Sequence, residues 1–311
     1  MSRTSGERRR NALDIAHSFG QAVRIECGGS YLPLTAAVGD QMLVVVDSSE
    51  VASNFTVGVF VTQLSLGAAW YRSVFEPWNK TRRYPGEKLS YKDYRQSDDD
   101  LNDLHQFMRV ADRCPGLLLS VVTPRLSKLV LTNPGEISTH PDLGDFRNWS
   151  EPLFERLLRT CCAIGIAMDQ FQNDPERWLL LHDTDVLFEP GRKCASINRL
   201  CNFISILRNG EATPIGLVTK DEVADRMVAK ALLGIADIGA GGIGSGQTSW
   251  HTKYGLAENQ LVGDDGDLSR KDAEIACYFG AGTVRLNKCA VSYGDRPTGG
   301  SVLQIGIAPR N

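Results

Sequence analysis

Residues 41–47, QMLVVVD, are a short β-branched apolar run that ends on a carboxylate. Such a run is too short for a core helix and is apolar on both faces, so it predicts a strand covered on both sides of a sheet. Residues 55–63, FTVGVFVTQ, predict a second strand, and residues 67–75 a third. The short connections between them predict a meander.

Further along, the hydrophobic period changes. Ser97 is a candidate N-cap, followed by Asp98, Asp99 and Asp100, whose charge complements the helix dipole. Leu101, Leu104, Phe107, Met108 and Ala111 then recur at helical spacing until Pro115–Gly116. Residues 117–122 predict a fully apolar strand, and residues 133–150, rich in Pro, Gly, Asp and Asn, a surface loop. A strongly amphipathic helix is expected over 151–172, a buried strand over 178–183 (WLLLHD), helices over 192–208 and 221–238, and a strand near 214–218. The last forty residues predict one short helix, about 269–279, and two strands. Strands first, then alternating helices and strands, indicate an α/β fold: a mixed sheet with helices on its faces.

Against this frame three acids stand out, because a carboxylate beside a core needs a partner or a metal. Asp47 ends the first apolar run. Asp183 ends WLLLHD, with Asp185 on the same face of an extended chain. Asp237 sits late in the apolar helix, where its charge opposes the helix dipole. Singly, each also reads as a turn, cap or paired residue. Together they could converge at one end of the sheet, where a divalent cation would relieve their repulsion. Two such cations about 4 Å apart clamp an in-line phosphodiester hydrolysis. His182, next to Asp183, is a candidate for proton transfer or a plain hydrogen-bonded strand-end residue.

The ordered segments LVVVDSSE, GEKLSYK, LLLHDTD and LLGIADIGAGG resemble the domain of unknown function 3800 family, a branch of the RNase H-like superfamily. That family opens with an apolar strand ending Asp-Glu-Ser-Gly, continues with a Glu-x-Lys-x-Ser-like segment and closes on a helix reading Leu-Gln-x-Ala-Asp-x-x-Ala-Gly. The closing segment, Leu233 to Gly241, matches best; in the opening one, Glu50 is displaced by two residues, and Glu87-Lys88-Leu89-Ser90 matches loosely. The resemblance implies a five-stranded RNase H-like mixed sheet over residues 39–245, preceded by an N-terminal arm (1–38), interrupted near 133–150 and followed by a C-terminal extension (246–311). It implies a metal-dependent nuclease acting on RNA or DNA with Mg²⁺ or Mn²⁺, two ions in all. Asp47, Asp183 and Asp237 would be ligands and catalytic residues, with Glu50, Glu87 and Asp185 as further candidates. RNase H-like enzymes place an acid at the end of the fourth strand. Counted with 67–75 as a strand, that position falls on residues 117–122, which carry no acid. Asp183 would then serve from the next strand, unless Glu50 or Glu87 takes the place. A catalytically silent RNase H-like subunit of a nucleic-acid-associated complex, defence-related assemblies included, is the first alternative.

Asp183-Thr184-Asp185 also resembles the Asp-x-Asp motif of nucleotide-sugar glycosyltransferases, which would leave Asp47 and Asp237 without a role. Gly239-Ala240-Gly241-Gly242-Ile243-Gly244 fits G-x-G-x-x-G, but a helix precedes it and polar residues follow, the reverse of a dinucleotide site. These glycines read as a helix end, where glycine supplies positive φ.

The net charge of the 311 residues is −3, which excludes a uniformly basic nucleic-acid coat. It is unevenly spread: +3 in residues 1–10 and +4 in residues 70–95, leaving −10 elsewhere. Residues 70–95 interleave seven aromatics with Arg72, Lys80, Arg82, Arg83, Lys88, Lys92 and Arg95, a pattern suited to phosphates and stacked bases, or to a core with solvated cations. Nucleic acid is therefore the expected partner, with a protein partner or a second copy also open. The longest wholly apolar run, Met42 to Val46, is far short of the roughly 18 residues of a membrane span. No apolar stretch follows the charged start, so a cytoplasmic location is expected. The eight cysteines show no C-x-x-C spacing and read as free thiols, with Cys194 and Cys201 on one apolar helix face.

Overall fold

Seven strands pair into one mixed sheet in the computed structural model, which describes residues 41–51, 54–87, 89–124, 150–168, 170, 178–183, 215–220, 223, 226–245, 269–280, 285–295 and 301–307. The strands are β1 (Met42–Val51), β2 (Asn54–Gln63), β3 (Gly116–Pro124), β4 (Trp178–His182), β5 (Ile215–Thr219), β6 (Leu286–Asp295) and β7 (Ser301–Ile307). Their order is β5-β4-β1-β2-β3-β6-β7. β2 runs antiparallel to both β1 and β3, while β4 is parallel to β1 and β5 to β4. The expected five-stranded mixed sheet is thus present as the block β5-β4-β1-β2-β3, and its topology is RNase H-like. Beyond residue 245 the chain adds β6, parallel to β3, and β7, antiparallel to β6.

Six α-helices accompany the sheet among the described residues: α1 (Leu64–Trp70), α2 (Glu76–Thr81), α3 (Asp98–Ala111), α4 (Glu151–Met168), α5 (Arg226–Asp237) and α6 (Arg270–Gly280). α3 is capped as its sequence suggests, with the Asp100 amide donating to Ser97 Oγ at 3.3 Å. Its stripe Leu101, Leu104, Phe107, Met108 and Ala111 is buried. α4 packs on one face of the sheet, and α5 on the other, with Phe107 of α3 against its Gly234.

The third strand expected at 67–75 is absent, and its place beside β2 is taken by β3. That segment is α1 followed by a π-helical turn, Tyr71–Phe75. Its β-forming residues conceal a helical stripe: Gly67, Trp70, Tyr71 and Phe75 are buried at spacings of three, one and four. The Trp70 indole donates to the Val110 carbonyl at 2.9 Å, tying this segment to α3. Removing one strand from the count makes 116–124 the third strand and Trp178–His182 the fourth, so Asp183 follows the fourth strand directly.

The glycine-rich segment also differs from expectation. Ile238–Gly242 is a π-helical continuation of α5, with no positive φ there; among the described residues positive φ occurs at Gly86. These glycines serve close approach. A Cβ on Gly239 would stand 2.8 Å from Ser120 Oγ of β3. On the sheet side, a Cβ on Gly58 would collide with the Ala236 carbonyl and stand 2.7 Å from the Ala240 amide. The helical stretch Arg226–Ser245 is long and apolar enough by composition to cross a membrane, but most of it is buried within the protein, which accounts for its apolar character.

The N-terminal arm, the 133–149 loop, the helix expected at 192–208 with Cys194 and Cys201, and the side chains of Lys88 and Asp185 lie outside the described residues. Among those described, no disulfide joins Cys114, Cys161, Cys162, Cys277 or Cys289, three of which are buried.

Gly58→Ala forces backbone against backbone and should destabilise the protein by about 3 kcal/mol. Urea unfolding measures this, and a change below about 0.5 kcal/mol would show that α5 does not bear on the sheet at this point.

Candidate active site

Asp47 lies in β1 directly opposite Gly58 of β2, and both face α5. Because nothing larger than glycine separates helix and sheet there, the end of α5 comes down on β1, and Asp237 meets Asp47. The two carboxyl groups are close enough for Asp237 to favour the protonated form of Asp47. The Ser48 amide donates to Asp47 Oδ1 at 2.7 Å. Asp237 accepts from Ser90 Oγ at 2.7 Å and from the Tyr91 amide. Its adverse position at a helix C-terminal end is thereby offset by two donors from another segment.

The parallel register of β1 and β4 runs as far as Val46 opposite His182. One residue on, Asp47, inside β1, comes level with Asp183, the residue after β4. Asp183 forms an ion pair with Lys220, the residue after β5, and its field reaches Asp47. Burial, then the charge and hydrogen bond of Asp237, and more weakly the charge of Asp183, push the Asp47 carboxyl from 3.8 up to about 8.

These three acids line one cleft of about 1140 Å³, together with Glu87. The chain matches no family model and no curated protein. What the site can do therefore rests on its own chemistry.

The donors are carboxylate oxygens, which suit Mg²⁺ or Mn²⁺ rather than a soft ion. Among the described residues no three His, Cys, Asp or Glu side chains form a ready-made metal cage. A buried carboxylate pair that must retain a proton fits a single hard cation, which would take the proton's place. Mg²⁺ commonly binds through one or two carboxylates plus substrate phosphates, and the Asp47–Asp237 pair is a donor set of that size.

The remaining sequence candidates divide sharply. Glu50 is not at the site: it is on the opposite face of β1, paired with Arg156 of α4 at 2.8 Å. His182 is buried, with its Nδ1 2.8 Å from the Asp183 carbonyl oxygen. Of the cations in 70–95, Lys92 and Arg95 line the cleft. Arg82 does not: it is buried against Asp103 and Trp78 and donates to the Glu87 carbonyl, so it shapes the turn. Lys80 pairs with Glu76 on the surface, and Arg72 and Arg83 are exposed outside the cleft lining. The aromatics of this stretch are mainly core: Trp70, Tyr71, Phe75, Tyr91 and Tyr94 are buried, and Tyr84 is exposed. Trp70, Tyr71 and Phe75 are turned inward by their helical spacing and form no stacking surface. Lys220 and Lys230, which the sequence reading missed, also line the cleft. They come from segments far from 70–95 and carry no local signal.

In cation-free buffer the Asp47 shift has a defined linkage. Between about pH 4 and pH 8 the folded state holds a proton that the unfolded chain has released, so stability falls as pH rises through this window. Thermal unfolding across pH 4–9 should show this decline, and Asp47→Asn, with no carboxyl proton to lose, should flatten it. An equal slope in the variant would remove the assignment to this pair.

Proposed function

We propose that this chain is a metal-dependent nuclease that hydrolyses phosphodiester bonds of RNA or DNA. The observation that carries this reading is the close approach of Asp47 in β1 and Asp237 at the end of α5, beside Asp183 just past β4, on an RNase H-like sheet. Asp183 at the end of the fourth strand agrees with the acid that the resemblance to the domain of unknown function 3800 family implies, so no strand-end acid is missing.

Asp47 and Asp237 would hold a Mg²⁺ or Mn²⁺ ion, and a second ion would draw on Asp183. When bound, the cation supplies charge for a phosphoryl oxygen and for an attacking water. The chain supplies the rest. Lys92, Arg95, Lys220 and Lys230 ring the cleft and draw in a phosphodiester backbone, offsetting the acidic lining. Ser90 and the Tyr91 amide fix the Asp237 carboxylate, so it need not reorganise as substrate arrives.

Cleavage of RNA, DNA and RNA–DNA hybrid with Mn²⁺ or Mg²⁺ tests the reading. Asp47→Asn and Asp237→Asn should each lower the rate at least about 100-fold. Undiminished cleavage by both variants would sink it.

The Lys220–Asp183 ion pair favours one second reading, a silent RNase H-like subunit in which a lysine occupies the place of a cation. Calorimetry separates the two: the nuclease takes up Mn²⁺, and the silent subunit does not. A nucleotide-sugar transferase would use Asp183 and Asp185 and give the Asp47–Asp237 pair no task.

A further inference from the structure

The turn that holds Asp237 is itself held from the far end of the chain. Tyr91–Asp93 forms a single 3₁₀ turn, preceded by Ser90 and closed by Tyr94. Its Ser90 hydroxyl and Tyr91 amide point at Asp237. Its carbonyls point the other way. Lys271 of α6 donates its ammonium to the Tyr91 carbonyl at 2.6 Å and to the Tyr94 carbonyl at 2.7 Å. The same ammonium stands 3.6 Å from the centre of the Tyr91 ring. The next residue completes the grip: the Tyr91 hydroxyl donates to Asp272 Oδ1 at 2.8 Å, and Ser269 Oγ bonds Asp272 Oδ2 at 2.7 Å. On the remaining side the Tyr91 ring lies against Gly241, where a Cβ would come within 2.6 Å of it.

We propose that Lys271 is a positioning residue that locks the Ser90–Tyr94 turn, so that the turn's donors keep the Asp237 carboxylate against Asp47. The proposal deepens the cation-site reading and rests on it for its effect on metal binding.

The geometry explains why a cation is used for this. Burial pushes the Lys271 ammonium below its ordinary value, and the charges of Asp272, Asp237, Asp93 and Asp100 oppose that shift. An ammonium with three donors can bridge two carbonyls and a ring face at once. Methionine of similar length fills the space but leaves both carbonyls without this donor. The turn could then rotate, and the Tyr91 amide would leave Asp237. Groups that orient a metal ligand typically change metal affinity 10–100-fold when removed.

Two measurements on the full-length protein test this. Calorimetric titration with Mn²⁺ should show Lys271→Met binding about 10-fold more weakly than wild type, with Lys271→Arg restoring most of the loss. Tyr91→Phe, which removes the hydroxyl that bonds Asp272 and leaves the Tyr91 and Tyr94 carbonyls with Lys271, should give a smaller loss and serves if Lys271→Met does not fold. Hydrogen exchange at the Tyr91 amide without metal should be about 10-fold faster in Lys271→Met while the amides of β1 are unchanged. Wild-type Mn²⁺ affinity together with wild-type exchange in Lys271→Met would overturn the proposal. Faster Tyr91 exchange in a protein whose wild type takes up no Mn²⁺ would uphold the lock and remove the cation reading instead.

Discussion

Everything at the candidate site depends on one steric contact, the seating of α5 and its π-helical continuation on β2 at Gly58. A helix packed on a sheet through ordinary side chains stays about 10 Å away. At that distance a short Asp on the helix could not reach a short Asp on the strand. With glycine at position 58 the helix backbone touches the strand backbone, and the two carboxyl groups meet. Ala236, Gly239 and Ala240 continue the same approach to the sheet, while Gly234 and Gly241 admit Phe107 and Tyr91 on other sides of the helix. A sequence feature that resembles a phosphate-binding glycine loop is therefore a packing device. Its π-helical turn, a form common at functional sites, widens the helix just past Asp237.

The contact has an electrostatic cost. Two carboxylates in a partly desolvated crevice repel each other, and the protein answers with a retained proton and three directed hydrogen bonds, from Ser48, Ser90 and Tyr91. A purely structural role would be met more stably by an apolar pair or by an Asp–Asn pair, since an unneeded buried charge is a liability. Retaining both acids at a cleft wall, with four cations around the rim, makes sense where a cation or a phosphate is to be handled. The neighbouring Lys220–Asp183 pair shows the other way of settling a strand-end carboxylate.

Much of the frame was legible from the chain. Ser97 with its three following acids marked the start of α3, and the apolar runs marked β2, β3 and β4 within a residue or two, whereas β1 runs four residues past Asp47, where its apolar stretch ends. Asp47, Asp183 and Asp237 were legible as carboxylates at the edges of apolar segments. Residues 67–75 were not, because Trp, Tyr, Val and Phe favour strands locally while their spacing buries a helical stripe. The direction in which cations point was also hidden. Arg82 and Arg95 lie in the same basic stretch, yet one is buried on Asp103 and the other lines the cleft. Lys220, Lys230 and Lys271 reach the site only through the tertiary fold.

The same long-range construction bears on when the site forms. Asp237 and Ser90 are 147 residues apart, and Tyr91 and Asp272 are 181 apart. No pair of neighbouring segments can assemble this arrangement, and closing such loops costs entropy before any contact offsets it. The repulsive Asp47–Asp237 pair adds nothing favourable until its donors arrive. β1, β2 and β4 must therefore be paired and α5 seated before Asp237 is in place, and α6 must dock before the turn that orients it is fixed. A residue near the end of the chain then bears on a strand near its beginning through a turn that belongs to neither, and α6 is as much a part of the site as the sheet it overlies.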